Sequence, residues 1–265
     1  MTIDLEKFIF SLEQAQAYLC ENDLQHFIIA LGDKEELPAK WDDLARLYKL
    51  VRERKPFQIL EFGSGFSTVA MACALKKNWE EYLDILTDKQ VDTQFGRPNM
   101  VSIESSGKWQ ENTRLKIDKA GLSDFSEIVF SRVSVAEYQG QVCHFYNELP
   151  NVVPDFVYLD GPDPSTVEGS INGISFQNPK RTVMSGDILK YESTLLPGFF
   201  MIVDGRINNA RFLKRMLKRY YNIQHHLEAD VTFFELEEPR LGWKNIFGHE
   251  AYTGAKVVFL RKEAC

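Results

Sequence analysis

Sulfur chemistry is sparse in this sequence: four cysteines, Cys20, Cys73, Cys143 and Cys265, stand far apart in 265 residues with no CxxC pair. That spacing offers neither a zinc knuckle nor a disulfide framework, so the thiols read as reduced. Positive charge is also in deficit, 31 Lys and Arg against 38 Asp and Glu, a formal net charge of −7. Nucleic-acid affinity comes from counterions released by clustered cations, so no nucleic-acid partner is expected. No apolar run is long enough to span a bilayer, and the opening MTIDLEKF lacks the basic start and apolar core of a secretory signal. The expectation is a soluble, cytoplasmic protein without a membrane partner. Repeats and low-complexity stretches are missing too. None of the five histidines shows metal-ligand spacing of the HExxH kind. They read as surface or loop residues, with His144 or His249 the ones able to reach an active site.

What is present is the composition of an ordinary globular chain, 44% hydrophobic and 26% charged. Leu5, Phe8, Leu12 and Ala15 recur at helical spacing, as do Trp41, Leu44, Leu47, Tyr48 and Val51, with a break at Gly32 and Pro38. Residues 1–50 therefore read as a helical appendage or lid, and residues 51–265 as the main domain. From Phe57 short apolar strands alternate with helical segments, the signature of a parallel sheet covered on both faces. Strands are predicted over 57–62, 100–104, 127–132, 155–160 and 199–204, and helices over 67–77, 107–120 and 208–220. Extended segments over 223–227, 231–236 and 256–260 suggest an antiparallel end to the sheet, the last two joined by a loop around 243–254. Two long connections, 78–99 and 161–186, read as an insertion before the second strand and a binding loop or lid.

The strongest local signal is Ile59-Leu60-Glu61-Phe62-Gly63-Ser64-Gly65-Phe66-Ser67-Thr68, an apolar strand running into a glycine turn and a helix. Glycines there allow positive φ and close approach of a ligand, and Ser67 or Thr68 would cap the helix whose first amides can meet a carboxylate. Glu104 ends the second strand, in MVSIE, with the group needed to accept hydrogen bonds from both hydroxyls of a ribose. Asp160 and Asp204 end the fourth and fifth, in DFVYLDGPD and FFMIVDGRINN, so four carboxylates would gather along one edge of one sheet. For each acid taken singly a solvated or turn-capping role explains it as well. Trp109 is close enough to Glu104 to lie near an adenosine. Lys180 and Arg181 in the second long loop would suit an anionic acceptor. The basic run from Arg211 to Arg219 reads as the solvated side of a helix whose other side is core.

These residues resemble the class I S-adenosylmethionine-dependent methyltransferases, above all the small-molecule O-methyltransferase branch whose first motif reads E-x-G-S-G-x-S-T; the likeness covers about residues 55–265. It implies a Rossmann-like α/β fold, doubly wound, with a mainly parallel seven-stranded sheet, an antiparallel last strand and an N-terminal helical appendage. It implies S-adenosyl-L-methionine as cofactor and a small-molecule acceptor, methylated at oxygen. Cofactor contacts would come from Glu61, Gly63, Ser64, Gly65, Ser67, Thr68, Glu104, Ser105 and Asp160, with Ser134 at the adenine. Asp160 and Asp204 would be catalytic, Asp160 the first choice of base. Some relatives hold a divalent metal between such aspartates and an Asn, but Gly205 stands where that Asn would be, and no metal is expected. A nucleotide-dependent oxidoreductase would need a third glycine at the helix start and an acid nearer the first motif. A noncatalytic domain that keeps the cofactor pocket for a partner protein is the other alternative.

Overall fold

The computed structural model describes residues 4–31, 38–89, 97–178 and 180–238. Its elements in chain order begin with α1 (Leu12–Glu21), α2 (Leu24–Leu31), α3 (Trp41–Arg54), β1 (Gln58–Phe62), α4 (Phe66–Lys89), β2 (Asn99–Glu104) and α5 (Gly107–Lys119). Next come β3 (Ser126–Phe130), β4 (Val133–Tyr138), β5 (Gln141–Tyr146), β6 (Phe156–Leu159), β7 (Val167–Glu168) and the four-residue α6 (Ile188–Tyr191). The described residues close with β8 (Phe200–Asp204), α7 (Ile207–Met216), β9 (Tyr221–His226) and β10 (Val231–Leu236).

Seven strands form one sheet in the order β3-β2-β1-β6-β8-β10-β9. The first five run parallel, and β10 is antiparallel to both β8 and β9. This is the mainly parallel, Rossmann-like sheet with a reversed last strand. It is completed by 221–226 and 231–236; the extended segment predicted over 256–260 and its loop lie outside the described residues.

Strand side chains alternate between faces, and the two cores follow that parity. Ile59, Met100, Phe156, Phe200, Ile202 and Phe233 meet α3, α4 and the N-terminal helices. Leu60, Val101, Ile103, Val157, Leu159, Met201 and Val203 face the other layer. Phe156, Phe200 and Phe233 form a ladder across three adjacent strands, with centroids 5.9 and 5.8 Å apart, spacing at which aromatic pairs add to area burial. The same parity puts Glu61, Ser102, Tyr158 and Asp204 on the α3/α4 face, at or near the tips of their strands.

Three expectations are corrected. Residues 78–89 are not a loop but the continuation of α4, which runs unbroken to Lys89; Trp79, Tyr82, Leu83 and Leu86 keep the helical spacing. The 208–220 helix begins at Ile207 and stops at Met216, since Leu217 turns extended. The second face is not clad by helices throughout. Between β3 and β6 the chain forms the hairpin β4–β5, which with β7 makes a separate three-stranded sheet. The alternation in Val133-Ser-Val-Ala-Glu-Tyr and Gln141-Val-Cys-His-Phe-Tyr is the strand period, and Gln139-Gly140 turns between them with both φ values positive. The 161–186 loop is partly ordered by β7 and by Asp163, which caps a 3-10 turn by accepting from the Ser165 amide.

Helix α3 runs through residue 50, the edge assigned to the appendage, and on to Arg54. Its buried side chains Leu44, Leu47, Tyr48 and Val51 belong to the same core as Val69, Met71 and Leu75 of α4.

Candidate active site

A cleft of about 460 Å3 opens over the C-terminal tips of β2, β1 and β6. Glu104, Glu61, Asp160 and Asp204 end or nearly end four strands that are neighbours in the order β2-β1-β6-β8, so the topology brings the four acids into one row.

The floor of the cleft is the glycine turn. Gly63 has φ +105°, and a Cβ there would stand 3.1 Å from the Gly161 amide nitrogen. Strand tips β1 and β6 thus meet backbone to backbone, with the Asp160 and Gly161 amides both donating to the Phe62 carbonyl, at 3.2 and 2.5 Å. Gly65 differs: a Cβ there would meet nothing within 4 Å. The space above it belongs to the cleft. Gly65→Ala should therefore fold normally, with a melting temperature close to the parent, yet place a methyl group where a ligand would lie. Isothermal titration with S-adenosylhomocysteine should show binding at least about tenfold weaker, the effect of a steric loss of ~1.4 kcal/mol or more; unchanged affinity would place the ligand elsewhere.

Glu61 is 1% exposed. Its carboxylate accepts from Ser67 Oγ at 2.5 Å, Thr68 Oγ1 at 2.6 Å and Ser102 Oγ at 2.5 Å. Ser67 and Thr68 are not caps, as the motif suggested, because α4 already starts at Phe66; they sit in its first turn and tie it to Glu61. The Gly65 amide donates to Thr68 Oγ1 at 3.0 Å. Glu61 thus fixes the turn and the helix start together, leaving the first-turn amides of α4, which lack helical acceptors, beside the cleft. Burial pushes the Glu61 carboxyl up to about 7 against the three hydroxyls that favour its charge.

Glu104 is 7% exposed and lines the cleft. The Ser105 and Ser106 amides donate to its Oε1 at 2.8 Å each, and Ser64 Oγ donates to its Oε2 at 3.0 Å. Burial raises this carboxyl too, opposed first by the Ser106 amide. The amides fix its rotamer and aim the Oε2 side past Ser64, toward the glycine turn. Trp109 and Thr113, one turn apart on α5, line the same wall.

Of the other expected contacts, Ser64, Ser67 and Asp160 line the cleft, whereas Thr68, Ser105 and Ser134 do not. Thr68 is fully buried with its hydroxyl committed to Glu61. The Ser105 hydroxyl shares a 2.8 Å hydrogen bond with Thr166, so it braces Glu104 against the 161–186 loop. Ser134 is carried off by the β4–β5 hairpin, where its hydroxyl donates to Asn147 at 2.8 Å. His144 is not a surface group; it is buried in the second layer against Phe176, both ring nitrogens without a hydrogen-bond partner, and burial pushes it down to about 3. It has no path to act as a base, and His249 lies outside the described residues. The Arg181 guanidinium donates to the Ser175 carbonyl inside its own loop and does not reach the cleft.

Sequence reading missed the opposite wall. Pro38, Lys40, Asp43 and Leu47, before and along α3, close the cleft from above, and Tyr158 and Arg206 complete it. Arg206 holds the 160–164 turn by donating to the carbonyls of Asp160 and Pro162. The available signal was Asp43 and Arg46, two charges set among the apolar positions of α3 and paired at 2.6 Å once buried. Among the described residues no group of three or more His, Cys, Asp or Glu side chains is arranged to hold a metal ion. Nor is any helix there long and apolar enough to cross a membrane.

Four buried carboxyls sit well above their usual range because burial penalises their charge: Glu61, Asp187 and Asp204 at about 7 and Asp155 at about 6. Their folded pKa values exceed the unfolded ones near 4, so the folded state binds protons more tightly. That stability is complete below about pH 4 and drains away as pH rises to about 7, roughly 1.4 kcal/mol per unit of separation for each group. His144, lowered, works in the opposite direction below about pH 6.5, but is one group against four. The ligand-free protein should melt several degrees higher at pH 5.5 than at pH 8 by scanning calorimetry; a higher melting point at pH 8 contradicts the buried acids.

No protein-family model matches the chain, and no curated protein does. Solved structures are similar to it. The O-methyltransferase TomG from Streptomyces achromogenes, solved with SAM, is 14% identical over 89% of this chain and 100% of its own, with a TM-score of 0.47. A methyltransferase from Podospora anserina bound to SAH is 14% identical over 90% of this chain and 98% of its own, TM-score 0.47. An O-methyltransferase from Bacillus cereus, in complex with SAH, is 15% identical over 87% and 99%, TM-score 0.43.

Proposed function

We propose that this chain is a methyltransferase that takes its methyl group from S-adenosyl-L-methionine and places it on an oxygen of a small-molecule acceptor. One observation carries the reading: a carboxylate with its rotamer fixed by two amides, Glu104, faces an unobstructed glycine turn across a single serine. A ribose needs a paired acceptor, and an amino-acid tail needs close backbone and free amides; the cleft offers both at the spacing of one strand. In this reading Glu104 and Ser64 take the ribose, the Gly63–Gly65 turn and Ser67 take the methionine end, and Asp160 lies beside the reacting centre. Trp109 supplies an apolar face for the base.

The residues fit that cofactor because the space over Gly65 is open. When bound, it supplies an already activated methyl group on sulfur. The protein's part is then to align the acceptor oxygen, exclude water and take a proton. The stretch before α3 and α3 itself serve as the wall that excludes water, in keeping with the lid that residues 1–50 suggested. Burial raises the Asp160 carboxyl at the cleft mouth, and the Arg206 guanidinium, 3.9 Å away, and Lys40 oppose that rise. A cytoplasmic setting goes with the free thiols of Cys20, Cys73 and Cys143, and the acidic surface speaks against a nucleic-acid acceptor.

The test is calorimetric titration of the protein with S-adenosylhomocysteine and, separately, with reduced nicotinamide dinucleotide, followed by radiolabelled methyl transfer to a panel of phenols, catechols and hydroxy acids. Binding of the first ligand, none of the second and labelling of an acceptor hydroxyl are expected. Nicotinamide binding would move the chain to the oxidoreductases, and binding without any transfer would make it a noncatalytic cofactor-holding domain.

A further inference from the structure

Building on that reading, we infer that Tyr158 is the group that takes the acceptor's proton, passing its own to Asp204, while Asp43 of α3 is the positioning residue that keeps Asp204 ready to receive it. Asp204 ends β8 but does not itself line the cleft; it is 5% exposed. Tyr158, on the adjacent strand β6, does line it, and its hydroxyl donates to Asp204 Oδ2 at 2.9 Å. A proton leaving an acceptor in the cleft therefore has Tyr158 as its way to Asp204.

The surroundings separate the two aspartates. Asp160, with a side chain 58% exposed, is raised by burial but flanked by Arg206 and Lys40, which oppose that rise. Asp204 is faced by Asp43 and Arg46 of α3, by Lys40 just before that helix, by Tyr158 of β6 and by Asp160 just after that strand; on β10 its partner is the apolar Val231. Arg46, 1% exposed, gives its Nη1 to Asp43 at 2.6 Å, and its Nε and Nη2 have no hydrogen-bond partner. That pairing fixes Asp43, and burial first, then the like charge of Asp43 and Asp160, raises the Asp204 carboxyl to about 7. The Tyr158 phenol is held far above its ordinary value by burial and by Asp160 and Asp204, so it stays protonated and serves as a relay rather than as a phenolate base.

In the step, the acceptor oxygen forms a bond to the methyl carbon as the sulfur–carbon bond of the sulfonium breaks, its electron pair remaining on sulfur. The acceptor's proton passes to Tyr158 Oη, and the tyrosine proton passes to Asp204 Oδ2, later leaving to solvent. Such an arrangement selects acceptors that must lose a proton as they react, alcohols and phenols, over thioethers or tertiary amines.

The experiment is isotope-edited infrared titration of the whole protein with S-adenosylhomocysteine bound, using carboxyl-labelled aspartate and ring-labelled tyrosine. Wild type should show aspartate bands titrating at about pH 7 from both Asp187 and Asp204, and a tyrosine C–O band shifting at the Asp204 midpoint. Asp204→Asn should remove one of the two aspartate bands and the tyrosine shift, leaving the Asp187 band in place. Asp43→Asn should lower the midpoint by about one pH unit and Tyr158→Phe should raise it by about as much, since each removes one named influence on the charge. Aspartate intensity near pH 7 unchanged by Asp204→Asn, or a tyrosine band indifferent to that substitution, overturns the relay. Calorimetric binding of S-adenosylhomocysteine to each variant, expected to match wild type, separates that outcome from failure of the cofactor assignment.

Discussion

Glu104→Ala should bind S-adenosylhomocysteine about 100-fold more weakly than wild type. Two hydrogen bonds from ribose hydroxyls to a carboxylate contribute roughly 1.5–3 kcal/mol each, and 1.4 kcal/mol is a factor of ten, so the loss of both sets this as a lower figure. The same substitution removes the acceptor of the Ser105 and Ser106 amides and of Ser64 Oγ. A stability cost of about 1–3 kcal/mol accompanies it, the usual price of unsatisfied buried donors. Glu104→Gln separates the two effects: it keeps shape and one good acceptor, so its melting point should stay near wild type while affinity falls by an intermediate amount. Affinity unchanged in Glu104→Ala removes the ribose assignment.

Gly161→Ala should be the most destabilising single methyl group in the cleft. A Cβ at that position would lie 2.6 Å from the Gly63 nitrogen, 2.7 Å from its Cα and 2.8 Å from the Phe62 carbonyl oxygen. All three are backbone atoms in adjacent strand tips, so no side chain can swing aside. The β1 and β6 tips must part, breaking the two amide bonds to Phe62. Overpacking of this kind costs about 3 kcal/mol or more, a fall of roughly 10 °C in melting temperature for a domain of this size. Cofactor binding should weaken as well, because the displaced backbone is the turn itself. Circular dichroism melting checks the first effect and calorimetry the second; a variant as stable as wild type would mean the two tips do not touch.

The contrast between Gly161 and Gly65 shows how far the sequence could be read. From Glu61 to Thr68 the chain announces a strand, a turn and a helix, and the four strand-ending acids announce the edge on which a ligand would lie. Local pattern sufficed there because each element fixes its neighbour along the chain. It did not reveal that Gly161 is constrained by Gly63, a contact between residues 98 positions apart.

The same limit explains the other misses. The alternation in residues 133–146 carries two strands, yet the resemblance, which puts the adenine after the third strand, drew Ser134 into the site. Residues 78–89 carry Trp79, Tyr82, Leu83 and Leu86 at helical spacing, so that part of the long connection was legible as helix and was passed over among its charged neighbours. Asp43 could be placed in a helix, but only tertiary packing lays α3 across the strand tips beside Asp204. Nothing in DFVYLDG sets Tyr158 apart until its hydroxyl meets a carboxylate on the next strand.

The most direct measurement is a crystal structure of the protein with S-adenosylhomocysteine. The expected result is the nucleoside lying over the tips of β1 and β2, both ribose hydroxyls on the Glu104 carboxylate and the homocysteine tail against the backbone of residues 63–65. A ligand bound elsewhere, or one in the cleft whose sugar does not touch Glu104, would contradict it.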